Sequence, residues 1–577
     1  MISPALSALA LDTHPKAKLR SPMHSIDSLD AAKQAARKMH TDVHAALQAP
    51  RKAMSTLRVV IPSMEYCDIE LQTTSRSFHS SRALWNLLAV ARNPNQKLVL
   101  VNGPRLPTEV EAFYLGLLPV ANAREAVDRS GRTYILQRPM GNGDRLSDIM
   151  LAHPDLLDTI SSIIAAERAA GTHIEGLDCF FSSTRMETLA KALRLPLMQA
   201  DASKLWWGSK AGSRTLFQRA AVHHAAGTHE SSFSMPALAL TIAELQEQHP
   251  CTMKWMVKIN QSCGGSGNAV FTWPTLPPVV DSVVDSIVDS VVDSVVDNRE
   301  RLVQAAEDAL AHLEFADSTM TPQRFATALY TYGGIVEQFL MPHPLGLAVR
   351  TPSAQGLVYR APDGVIRYKI LSTHDQIMDP RNGQSFMGCK FPADMNYRRE
   401  LKESGERVLA ELAKEGVMGN AAIDFLAIPD VNSKGDITWK LFALEINTRQ
   451  SGTTHPFMTA QLLTGGELDA DGNFLDLQGR PRCYTSIERH YGDDWFDLTG
   501  SEVIVALNAR PDLKFDPYIN TGVVPHQWST LPPFGEIGAL AIAATQDEAA
   551  QLQERFFQLM EDLAVQKQVR VCSSKSL

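Results

Sequence analysis

Three oxygen-bearing side chains in the last third of the chain are the place to look for chemistry. The run GNAAIDFLAIPD, the cluster NSKGD and the run ITWKLFALEINTRQSGTTHPF read as a hairpin, because turn-forming residues sit between two apolar stretches. Glu445 and Asn447 are two residues apart and so share one strand face, with Phe442, Leu444 and Ile446 expected on the other. Antiparallel pairing about the turn brings Asp424 opposite or diagonal to that pair. Taken singly, each is an ordinary solvated strand residue. Together they are the hard oxygen set that Mg2+, or Mn2+ in its place, takes alongside water and phosphate oxygens.

A second constellation suits the phosphates themselves. In KWMVKINQSCGGSGNAVF, alternation puts Lys254, Met256 and Lys258 on one strand face and Trp255, Val257 and Ile259 on the other. The strand runs into Gly264, Gly265, Ser266 and Gly267, whose backbone N–H groups can approach phosphate oxygens without side-chain obstruction. No G-x-x-x-x-G-K-[ST] occurs, so this is not a Walker loop. Further on, TYGGIVEQFLMPHP holds Glu337 and Phe339 in a short strand able to offer backbone groups and an apolar wall to a purine.

The elements that must position these residues begin near Leu57. RVVIP and KLVLVNG read as buried strands alternating with the helical patterns SSRALWNLLAVAR and the segment after Pro107, and the pattern recurs at LDCFF and STRMETLAKAL. This predicts an α/β domain over 56–200, preceded by an extension (1–55) and followed by a region 201–460 that carries the chemistry and a third region 461–577. The repeat VVDSVVDSIVDSVVDSVVDN, within 276–298, reads as a low-complexity insertion in a surface loop.

Composition narrows the function classes. Hydrophobic residues are 44% and charged residues 21% of 577, as in globular chains, and the net charge of -9 gives neither a nucleic-acid footprint nor an attraction to anionic membranes. No apolar run reaches the roughly 20 residues of a membrane span. The seven cysteines are scattered and never form C-x-x-C, which argues against zinc or a disulfide framework and for a reducing cytoplasm.

The order of motifs resembles the ATP-grasp superfamily. RLPLMQAD, WGSKAGSRTLFQRAAV, VKINQSCGGSGNAVF, STHDQIMDPRNGQSFMGCKFPA and LEINTRQSGTTHPF look like the bacterial ligases related to the pheganomycin peptide ligase, from about residue 57 to the end. The resemblance implies an α/β (α+β) architecture: an ATP-grasp fold preceded by a small α/β pre-ATP-grasp domain and followed by a small C-terminal domain. It implies Lys210 and Arg214 near the phosphates, Lys258 at the α-phosphate, and Glu337 with the backbone around Phe339 at the adenine. Lys390 falls at the γ-phosphate, where relatives carry arginine, and Arg449 near the acyl-phosphate oxygens. Asp424, Glu445 and Asn447 fall at magnesium. The chain departs from the family pattern in lacking an acidic residue for the ribose in MPHPLG, and at QSCGGSG, Asn420 and Gln450-Ser451.

The implied activity is amide formation between a carboxylate substrate and an amine substrate, an amino acid or peptide, through an acyl-phosphate, with ADP and phosphate released. The alternatives are activation of a carboxylate for another kind of acceptor, and a nucleotide-binding partner protein without turnover. Dimers are common in the superfamily, so a homodimer is an expectation too. His374 and His455 invite a general-base role, but a structural histidine bonded to backbone is the expected reading of each.

Overall fold

Strands β1 (Thr56–Val60), β2 (Gln96–Asn102), β3 (Thr133–Gln137) and β4 (His173–Asp178) form a parallel sheet in the order β3-β2-β1-β4. Leu98 and Leu100 enter one hydrophobic cluster, and Val99 and Val101 enter another on the opposite face. Burial on both faces is why KLVLV reads as an unbroken apolar run. The strand expected at LDCFF is shorter: β4 ends at Asp178, and Phe180 and Phe181 lie in the loop beyond it.

The computed structural model describes residues 54–63, 65, 78–103, 107–120, 123–140, 144–262, 265–274, 289–341, 346–380, 383 and 385–575. The extension before residue 54, Gly264 and the first half of the VVDS repeat lie outside the described residues. The repeat's second half belongs to the helix Asp289–Leu310, not to a loop. That helix continues into RERLVQAAEDAL, which sends Ala305, Ala306, Ala309 and Leu310 into a core cluster.

A small antiparallel sheet holds β5 (Lys254–Ile259), β6 (Asn268–Thr272), β7 (Glu314–Phe315) and β8 (Gly334–Gln338) in the order β7-β6-β5-β8. Trp255, Val257 and Ile259 pack into its core, leaving Met256 and Lys258 on the face that lines a cavity.

Across that cavity stands a ten-stranded sheet. Its strands β9 (Pro352–Arg360), β10 (Ile366–Met378), β11 (Phe386–Phe391), β12 (Gly419–Val431) and β13 (Ile437–Asn447) run in the order β13-β12-β9-β10-β11. The short β14 (Glu467–Leu468) and β15 (Phe474–Leu475) lead to β16 (Pro481–Tyr491), which pairs with β11. β17 (Gly522–His526) and β18 (Glu536–Ala543) complete it. The C-terminal strands therefore extend the central sheet. Helix Arg398–Lys414 covers one face of β9 and β10 and the edge of β12, and its Leu401, Val408, Leu409 and Leu412 join Ile423, Phe425 and Leu441 in one core cluster. Among the described residues, no single helix is long and apolar enough to cross a membrane.

Candidate active site

The hairpin β12–β13 sets the centre of the site. Asp424 is registered directly against Glu445, and Ala422 against Asn447. Phe425 then pairs with Ala443, so Leu444 is an extra residue, a β-bulge. The bulge corrects the simple alternation expected here. Leu441, Ala443 and Ile446 pack into the core, while Leu444, Glu445 and Asn447 all line the cavity. Without the extra residue, Glu445 would share the core-facing parity of Leu441 and Ala443.

The cavity, of about 790 Å3, lies between the small sheet and the central sheet. Asn447 Nδ2 donates to Asp424 Oδ2 and Gln376 Nε2 to Asp424 Oδ1, each at 2.9 Å. Burial, with Glu445 opposite, pushes the Asp424 carboxyl up to about 7. Burial acts on Glu445 in the same sense, but Lys210, Lys258 and Arg449 together outweigh it and hold Glu445 below the ordinary carboxylate range. Lys210 Nζ donates to Glu445 Oε2 at 3.2 Å and to the Ser262 carbonyl at 2.8 Å. The lysine is placed by the helix Lys210–Arg219, whose N-cap Ser209 accepts from Gly212 N at 3.2 Å.

Two carboxylates and an amide facing cations across a cavity fit a divalent cation. The unfavourable ionisation of Asp424 opposite Glu445 is what such an ion relieves. No group of three or more His, Cys, Asp or Glu side chains suited to a metal occurs among the described residues, so the candidate set depends on Asn447 and on oxygens brought by a ligand.

Gly265, Ser266, Lys258, Glu337 and Phe339 line the same cavity. Gly265 has φ +79°, a conformation that favours glycine. Gly267 is turned away from the lining, its carbonyl accepting from Ile259 N at 2.9 Å. Glu337 forms buried ion pairs with Lys258 and with Arg214, the latter at 3.2 Å. Phe339 follows β8 instead of lying within it, and Lys254 stands 5.9 Å over its ring.

Two assignments are corrected. Arg214 does not reach the cavity: its side chain is 2% exposed and its guanidinium is directed at Glu337 and at the Ala225 and Thr228 carbonyls, at 2.7 and 2.6 Å. Lys390 is exposed and outside the lining, because its neighbours Cys389 and Phe391 on β11 take the core face. Neither histidine lines the cavity. His374 bonds the Tyr484 hydroxyl at 2.8 Å and burial pushes it down to about 3; burial, then His526 and Arg82, drive His455 well below the usual histidine range.

Much of this arrangement lies in a segment that matches a known family in sequence. The family model described as IQCH-like, ATP-grasp, matches residues 202–471, which takes in Lys210, both walls of the cavity and the hairpin. Residues 202–471 belong to the ATP-grasp superfamily. A second model, the PGM1 C-terminal domain, matches residues 505–556. Among curated proteins, the L-propargylglycine--L-glutamate ligase of Streptantibioticus cattleyicolor is 25% identical over 74% of this ATP-grasp chain and 78% of its own length. The IQ motif-containing protein H of Danio rerio is 22% identical over 68% of this chain and 38% of its own. Among solved structures, the biotin carboxylase domain of the Hydrogenobacter thermophilus 2-oxoglutarate carboxylase, in complex with MgADP, superposes with a TM-score of 0.42 at 13% identity, over 85% of this chain and 86% of that one.

The ATP-grasp site also contains residues that sequence patterning passed over. Ser353, Gln355 and Gln376 line it from β9 and β10, and Arg82, Phe180 and Glu488 from outside the matched segment. The alternation of polar residues in PSAQ and in STHDQ was the available signal for the first three. Nothing local marks Arg82 or Glu488.

Proposed function

We propose that this chain is an ATP-dependent ligase that joins a carboxylate to an amine through an acyl-phosphate. The observation that carries the reading is the direct pairing of Asp424 with Glu445 beside Asn447, in a cavity that also presents Lys210, Lys258 and Arg449. In this reading the adenine lies at the apolar end near Met256, Phe339 and Leu444, and the phosphates run toward the lysines.

Asp424, Glu445 and Asn447 would hold Mg2+, which when bound neutralises phosphate charge. Lys210 and Lys258 bind and orient the phosphates, and Arg449 draws the acid substrate's carboxylate toward the γ-phosphate. The carboxylate oxygen bonds to the γ-phosphorus as the bond to ADP breaks. The amine nitrogen then attacks the acyl carbon, phosphate leaves with the carbon–oxygen pair, and the nitrogen loses a proton. A curated relative named as joining two L-amino acids supports amide formation over other acceptors. A role without turnover leaves the costly burial of two facing carboxylates unexplained.

The test is ADP release with pooled L-amino acids and dipeptides as acid and amine, with product masses read in parallel. Nucleotide binding without ADP release in any mixture sinks the ligase reading.

A further inference from the structure

Phe180 and Phe181, on adjacent Cα atoms about 3.8 Å apart, each carry an arginine. The Arg82 guanidinium lies 5.2 Å from the Phe180 centroid and that of Arg449 lies 5.4 Å from Phe181. Arg82, Phe180 and Arg449 all line the cavity. Arg82 ends the helix Phe78–Arg82, which packs against residues 528–530, and Arg449 follows β13, so two distant segments deliver cations to one loop.

Arg82 is fixed in orientation as well as in place. Its Nε donates to Glu488 Oε2 at 3.2 Å and its Nη2 bonds the same oxygen, on a carboxylate only 3% exposed. Glu488 belongs to β16, four strand steps from Asp424 on β12, roughly 19 Å at the usual strand spacing. Ser451, Gln355 and Thr453 line the stretch between, with Ser451 Oγ donating to Gln355 Oε1 at 2.8 Å. The cavity thus continues well past the phosphate end to a guanidinium held by a carboxylate on one edge and a ring on one face, the preorganisation that suits recognition of a planar anion.

We propose that Arg82 holds a second, unreactive carboxylate of the acid substrate, so that the cavity selects dicarboxylic acids over monocarboxylic ones. Which carboxylate is activated rests on the ligase reading; the selective binding does not.

The test is calorimetric titration of the full chain, loaded with a non-hydrolysable ATP analogue and Mg2+, with glutarate, butyrate and glutaramate. Glutarate is expected to bind about 20-fold or more tighter than either comparator, the worth of one charge-assisted hydrogen bond. In Arg82→Met/Glu488→Gln, which removes the ion pair without orphaning a buried charge, the preference disappears while nucleotide affinity stays within about twofold. Should that variant not fold, Arg82→Lys keeps the charge but not the fork, and the preference should fall at least about fivefold. Equal binding of the three acids by the wild type, or a preference that survives in the variants, overturns the assignment, including the case in which the second carboxylate belongs to the amine substrate. Selective binding without ADP release in any mixture sinks the ligase reading and leaves Arg82 standing.

Discussion

Asp424 and Glu445 face each other in direct register across β12 and β13, one carboxyl pushed up to about 7 and the other held low by three cations. If this pair binds the metal that accompanies ATP, Glu445→Gln should cut ADP release by about 100-fold or more, as removal of a charge-stabilising group does. The fold should persist, because Lys210 keeps its bond to the Ser262 carbonyl. Turnover and melting temperature, measured together, check this. Unchanged turnover would refute the metal role.

Asp424 also predicts a pH signature. A carboxyl raised from its ordinary value near 3.9 to about 7 disfavours the fold increasingly as pH rises between those values. Asp424→Asn removes that penalty. The stability of the variant relative to wild type, without nucleotide or metal, should improve by on the order of 1–3 kcal/mol from pH 5 to pH 8. Urea unfolding at both values reads the difference, and a flat difference contradicts the assigned burial of charge.

Much of this was legible in sequence because strand period and turn chemistry are local. Trp255, Val257 and Ile259 went to the core and Lys258 to the cavity as the period of two requires. The loop NSKGD joined β12 to β13 as its composition demands. Leu444 broke the same rule, since one inserted residue inverts the parity of everything beyond it and carries no compositional mark. Arg214 was placed near the phosphates by resemblance alone, and only the tertiary fold shows that its guanidinium bonds Glu337 and two carbonyls behind the lining. Arg82 and Glu488 were invisible because 406 residues separate the two partners.

Glu337 bridges two buried cations, so it should matter for stability before it matters for turnover. Glu337→Ala leaves Lys258 and Arg214 without their shared carboxylate and should cost about 3–5 kcal/mol. Arg214→Lys should cost about 1–3 kcal/mol, because a lysine cannot reproduce the donations to Glu337 and to the Ala225 and Thr228 carbonyls. Denaturant midpoints give both values. A neutral Glu337→Ala would show that the triad is not formed in solution.

His374 is buried neutral against Tyr484, with its pKa pushed down to about 3 by burial. Its folded value lies below its unfolded value near 6.5, so its contribution is complete above pH 6.5 and is lost as pH falls toward 3. His374→Gln should be less stable than wild type at pH 7 through lost packing, with the gap narrowing by about 2 kcal/mol at pH 5. The same variant should leave the midpoint of the pH–rate profile unmoved. A shifted midpoint would restore His374 as a candidate base.

Resemblance puts Lys390 at the γ-phosphate and Arg449 near the acyl-phosphate oxygens, and the structure separates them. Lys390 stands exposed outside the cavity, whereas Arg449 lines it beside Glu445. Lys390→Ala should therefore keep ADP release within about twofold, a surface change far from the reacting groups. Arg449→Ala should lose about 100-fold or more. Arg449→Lys should recover little, because an ammonium presents neither the planar fork nor the stacking on Phe181, 5.4 Å away. Rate constants at saturating nucleotide discriminate the two positions: a large loss at Lys390 with a small one at Arg449 would mean that the strand β11 turns its lysine inward during turnover, and the cation inventory of the site would have to be redrawn.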